Sequence, residues 1–211
     1  MSSAWPWLAV AGLGAYHGMD PSMGWLFAVA LGLQEKSRWR VLNALWPIGI
    51  GHLVAIAAVI AIIGGFRAFF TIEFIQPAGA VVLIAFGIFR FMWPRAHPRW
   101  VAMRVNAPEL ALWSFLMASA HGAGLMLFPI VLRIAPNVCL SPSTMNLANH
   151  SLADAAAIVL LHTGAMLIVM GAVALIVYDY LGLAILRRAW INLDTIWAGA
   201  LVAAGLLSLA I

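Results

Sequence analysis

Charge is what this chain has least of. Charged residues make up 9% of its 211 residues, against roughly a quarter in soluble domains, so a water-facing surface around a core is excluded. Cysteine is nearly absent as well. Cys139 alone rules out an intramolecular disulfide and any Cys-rich zinc or iron–sulfur site. No P-loop, Rossmann glycine fingerprint, GxSxG or HExxH occurs, which removes the common soluble-enzyme classes. The apolar N-terminus from Met1 to Gly18 has no Lys or Arg ahead of it, so it is expected to stay as a first span and not to be cleaved as a secretory signal.

What remains is apolar. Hydrophobic residues are 65% of the chain and the mean hydropathy is +1.03. Since a membrane span needs about 20 apolar residues, almost the whole length is used by about six transmembrane helices. The expected fold is an all-α polytopic membrane protein forming a single transmembrane domain over 1–211. Spans are predicted at 7–33, 41–63, 78–94, 109–133, 154–181 and 192–210. The first is too long for one straight helix and is interrupted by Gly18, Pro21 and Gly24; such a break survives only where protein or a polar cavity satisfies the freed backbone groups.

The net charge of +4 reads as topology and not as nucleic-acid binding. Lys36, Arg38, Arg40, Arg95, Arg99, Arg104, Arg187 and Arg188 lie in the loops after spans one, three and five, while Arg67 and Arg133 are the basic residues of the opposite loops. The positive-inside rule then turns both termini outward, toward the periplasm for a bacterial inner membrane. The stretch 134–153, with Pro136, Pro142, Asn146, Asn149 and His150, is expected as the longest polar connection. Trp5, Trp7, Trp39, Trp93, Trp100 and Trp190 fall near span ends, where interfacial anchors sit.

Two halves, 1–105 and 106–211, share a pattern. Ala15-Tyr16-His17-Gly18 in span one resembles Ser119-Ala120-His121-Gly122 in span four, and a second histidine follows each, His52 after 35 residues and His162 after 41. Three spans per half is an odd number, so a repeat of this kind has to be inverted, a plan that puts substrate sites between the halves near broken helices.

Four histidines thus fall inside predicted spans, where ionisable groups are costly and face a bundle interior or a polar cavity. Neutral imidazole is also the commonest metal ligand. Asp20, three residues after His17, shares its helix face and can ligate a metal or orient the ring. The expected metal set is His17, Asp20, His52, His121 and His162, for a divalent or soft transition-metal ion; the plainer reading is that each histidine bonds a carbonyl and staples helices. His97 and His150 are expected in loops. Asp179 is expected to snorkel or to pair with Arg187 or Arg188, and Glu109 and Asp154, which open spans four and five, to cap helix N-termini. Met19, Met23, Met117 and Met126 lie near the histidines and are expected mainly to pack, although thioethers assist Cu(I).

The run His17-Gly18-Met19-Asp20-Pro21, followed by Gly49-Ile50-Gly51-His52, resembles the nickel/cobalt permeases and their hydrogenase- and urease-associated relatives in the LysE-type superfamily. The resemblance implies a 3+3 helix arrangement and metal ligation by His17, Asp20 and His52. It departs from the permease signature of His, four residues, then Asp-His: Asp20 follows His17 by three, and Pro21 stands in place of the second histidine. The reading that follows is a metal-cation transporter or permease, more a transporter than an enzyme. Its partners are the lipid bilayer and the metal ion, with a homo-oligomer or larger membrane complex left open. The alternatives are a membrane-embedded metalloenzyme or redox subunit, and a structural subunit of a membrane complex.

Overall fold

Proline and glycine decide where the helices stop. The computed structural model describes residues 4–67, 70–93, 106–134, 145–181 and 193–209, and among these there is no strand. Helix α1 spans Trp5–Met19 and ends at Asp20, whose extended backbone (φ −70°, ψ 120°) is what a following proline imposes. A 3₁₀ turn, Pro21–Met23, leads to Gly24 at φ 125°, a conformation that only glycine adopts cheaply. Helix α2, Trp25–Glu35, starts there. Helices α3 (Arg38–Arg67) and α4 (Ile72–Met92) carry Pro47 and Pro77 internally. Helix α5, Ala107–His121, opens with a reciprocal Asn106–Glu109 capping box and closes on Gly122 at φ 69°. Short helices α6 (Ala123–Met126) and α7 (Phe128–Ile134) follow. Helix α8, Met145–Ile176, runs on into a π turn, Val177–Leu181, and α9 covers Leu193–Leu209.

The break in the first predicted span is where the sequence put it. Several expectations need correcting. The stretch predicted as one span at 109–133 is itself broken at Gly122, where a left-handed residue ends a helix as surely as a proline, and again at Leu127, whose backbone is right-handed (φ −76°, ψ −14°). The connection after 134 is shorter than predicted: α8 begins at Met145, so Asn146, Asn149 and His150 belong to its backbone and Asp154 is interior and caps nothing. Asp179 pairs with Arg38 at 2.8 Å. Its predicted partners Arg187 and Arg188, like the loop residue His97, lie outside the described residues.

Among the described residues, three helices are long and apolar enough to cross a membrane: Arg38–Ile62, Glu73–Met92 and Ala153–Tyr180. Their outer faces are apolar, with Ile50, Ile62, Val81 and Ile168 all more than half exposed, as a lipid-facing surface requires. The interior is held by α1 on α8, α3 on α5 and α4 on α9. Two of these crossings are backbone-close. A Cβ added at Gly14 of α1 would lie 2.2 Å from the His162 carbonyl oxygen, and one at Gly51 of α3 would lie 2.0 Å from that of Ala111.

The core falls into apolar clusters with the histidines at a junction. Ile56, Ala118, Leu127 and Ile158 belong to one cluster, and Met23, Ile48, Leu110 and Met166 to another. His52 lies one helical turn from both Ile48 and Ile56, and His162 one turn from both Ile158 and Met166, so each histidine interrupts an otherwise apolar stripe.

Candidate metal centre

Helices α1, α3 and α8 each deliver one imidazole to the same point. The ring centroids of His17 and His52 are 5.2 Å apart, those of His17 and His162 5.0 Å, and those of His52 and His162 5.5 Å. His52 and His162 are nearly parallel, with His17 edge-on to both. All three are fully buried. One nitrogen of each lies within 4.8 Å of the others. A point therefore exists within about 2.8 Å of all three (4.8 Å divided by √3), and imidazole–metal bonds of about 2.0–2.1 Å need only sub-ångström closure.

Two of the rings are oriented by backbone. Nδ1 of His17 donates to the Leu13 carbonyl at 3.0 Å, and Nδ1 of His162 donates to the Val10 carbonyl across the α1–α8 interface at 3.2 Å. A carbonyl can only accept, so the proton sits on Nδ1 and the lone pair on Nε2 in both rings. His52 differs. Neither of its nitrogens has a hydrogen-bond partner among the described residues, nor does Nε2 of His162. Buried polar atoms left so cost about 1–3 kcal/mol each, a cost that a metal or another ligand removes.

The other predicted members, Asp20 and His121, form a pair of their own. Oδ1 of Asp20 accepts from the Ser22 backbone N–H at 2.8 Å and from its hydroxyl at 2.7 Å, capping the 3₁₀ turn. Nε2 of His121 lies 3.3 Å from the same hydroxyl and 3.9 Å from Oδ2 of Asp20. Its Nδ1 donates to the Met117 carbonyl at 2.9 Å, the same bond, four residues back, that His17 makes. Of the five predicted ligands, three converge and two stand together at the helix break.

Residues that the sequence did not single out hold this break together. The indole of Trp25 donates to the Met19 carbonyl at 3.2 Å and that of Trp113 to the Ser22 carbonyl at 3.3 Å, so two of the carbonyls at the break are satisfied by protein. The Ser114 hydroxyl donates to the Ile48 carbonyl at 2.8 Å, locking α5 to α3 one turn before His52. Trp25 and Trp113 sit inside spans, away from the ends where interfacial tryptophans are expected, and that position was the available signal. Of the four methionines near the histidines, Met23, Met117 and Met126 are buried and Met19 is half exposed, in keeping with packing. Comparison with known proteins found no matching family model, no matching curated protein and no matching solved structure.

Proposed function

We propose that this chain is a six-span membrane transporter of a metal cation, with His17, His52 and His162 forming the ion site and Asp20 and His121 a second station at the helix break. The observation that carries the reading is the triad: three buried imidazoles from three helices with donor atoms within 4.8 Å. Neutral imidazole suits copper, zinc, nickel and iron alike, and the residues fit such an ion as cargo. In this reading α1, the 3₁₀ turn and α2 make one broken span, and α5 to α7 make another. Broken spans are where transporters expose backbone and side chains to a substrate.

The inverted 3+3 repeat draws support from the helix pairing. Exchanging spans one with four, two with five and three with six turns the α1–α8 interface into α5–α3 and returns α4–α9 to itself, and these are the three most extensive interfaces among the described helices. The matching Nδ1 bonds of His17 and His121 obey the same exchange. Both termini then face the periplasm of a bacterial inner membrane. A C-terminal alkaline phosphatase fusion is expected to be active and a green fluorescent protein fusion dark; the reverse result means that a span has been miscounted.

The test of transport is ion flux into proteoliposomes containing the purified protein. Metal is expected to accumulate with the unmodified chain and not with His52→Ala. One observation favours a packing role instead: His162 staples α8 to α1 through Val10. Purified protein that holds no metal after loading leaves that reading standing, and protein that binds metal tightly but moves none is a membrane metalloprotein with a fixed site.

A further inference from the structure

We infer that the His17–His52–His162 cluster is a three-coordinate site selective for monovalent copper over divalent nickel, cobalt and zinc. This rests on the reading that the cluster takes a metal ion, and goes beyond it in naming the ion from donor number, charge and surroundings.

Donor number comes first. Among the described His, Cys, Asp and Glu side chains, the group close enough to share one ion is three imidazoles. Nickel and cobalt as divalent ions favour more ligands, up to six, and zinc takes a fourth, usually water in an open position. Cu(I), with a filled d shell, is content with three. The tautomers already fixed on His17 and His162 by the Leu13 and Val10 carbonyls put the lone pair on Nε2 in both rings.

Charge points the same way. The one acid near the triad in sequence, Asp20, spends one carboxylate oxygen on Ser22 and has the other beside His121. The side chains one turn above and below the rings on α3 and α8 are Ile48, Ile56, Ile158 and Met166, all fully buried. A divalent ion there sets two charges against these apolar side chains, with the Asp20 carboxylate already engaged by Ser22 and His121. Charging energy grows as the square of the charge, so the desolvation cost for a divalent ion is roughly four times that for a monovalent ion of the same size.

The experiment is competitive titration of the purified full chain in detergent, anaerobically with ascorbate. Cu(I) is delivered as its acetonitrile complex against bicinchoninate, with parallel titrations of Ni(II), Co(II) and Zn(II). One equivalent of Cu(I) is expected, bound at least a hundredfold more tightly than any of the three divalent ions. X-ray absorption of the Cu(I) form is expected to show nitrogen neighbours of imidazole type and a first shell of three. His52→Gln, with circular dichroism and monodispersity as folding checks, is expected to lose the binding. Equal or tighter binding of nickel, cobalt or zinc at the triad overturns the copper assignment and leaves the transport reading intact. Cu(I) binding undiminished in His52→Gln and in a His17→Gln, His162→Gln double variant overturns it too. Failure of all four ions to bind removes the metal reading itself.

Discussion

His52→Ala is expected to lower metal affinity by at least about a hundredfold while leaving the protein folded and inserted. Losing a group that merely orients a ligand costs about 10–100-fold, so losing a ligand outright costs no less. His52 is the cleanest of the three positions because of what its ring does not do. Neither nitrogen has a hydrogen-bond partner among the described residues, so truncation breaks no bond there and relieves a buried polar burden of about 1–3 kcal/mol for each nitrogen, about 2–6 kcal/mol for the two. The cavity left behind acts in the opposite direction, by about 2–5 kcal/mol for a large-to-small change. The two nearly offset, and helicity and monodispersity should persist. His162→Ala is a poorer probe, since it also removes the bond to the Val10 carbonyl that joins α8 to α1. His97→Ala is the matched control, and titration in detergent is the measurement. If His52→Ala and His97→Ala bind metal equally well, the triad is a packing device.

The features legible in the sequence were those with a strong local cause. Pro21 and Gly24 lie three residues apart, and no helix passes through both, so the first break was readable. Histidine in apolar sequence stands out, and the pairing of an early His-Gly with a later histidine in each half picked out four buried rings, three of which converge. The second break was not readable in the same way. Gly122 carries it through a left-handed backbone at φ 69°, and nothing in Ala120-His121-Gly122-Ala123 distinguishes a glycine that ends a helix from one that lets two helices touch. The division of the five predicted ligands into a triad and a pair was also hidden. It depends on the Asp20 carboxylate turning back to cap Ser22, a local bond that competes with any role as a ligand. The Arg38–Asp179 pair joins residues 141 positions apart, and sequence proximity favoured Arg187 and Arg188 only because helix packing had not yet brought α3 to the end of α8.

Gly51→Ala is expected to destabilise the protein severely, and Gly51→Val to prevent its accumulation as a monodisperse species. The atoms a Cβ would meet are backbone: the Ala111 carbonyl oxygen at 2.0 Å, its carbon at 2.9 Å and the Phe115 nitrogen at 3.0 Å. None can rotate away, so α3 and α5 must separate. Small residues bring membrane helices this close because association in lipid depends on packing and interhelical hydrogen bonds. Separation would also stretch the bond from Ser114 to the Ile48 carbonyl and displace His52, the next residue along α3. Overpacking typically costs about 1–3 kcal/mol, and contacts that cannot relax lie at or beyond the upper end. Gly12 and Gly164 supply the internal control, since a Cβ at either meets nothing within 4 Å. There the exchange to alanine gains helix propensity, about 1 kcal/mol. Thermal unfolding in detergent should therefore move in opposite directions, down for Gly51→Ala and level or up for Gly12→Ala and Gly164→Ala. Metal affinity should fall in the first and hold in the other two. A Gly51→Ala protein as stable as Gly12→Ala would mean that α3 and α5 do not cross where Gly51 meets Ala111, and the placement of His52 beside His17 and His162 would fall with that crossing.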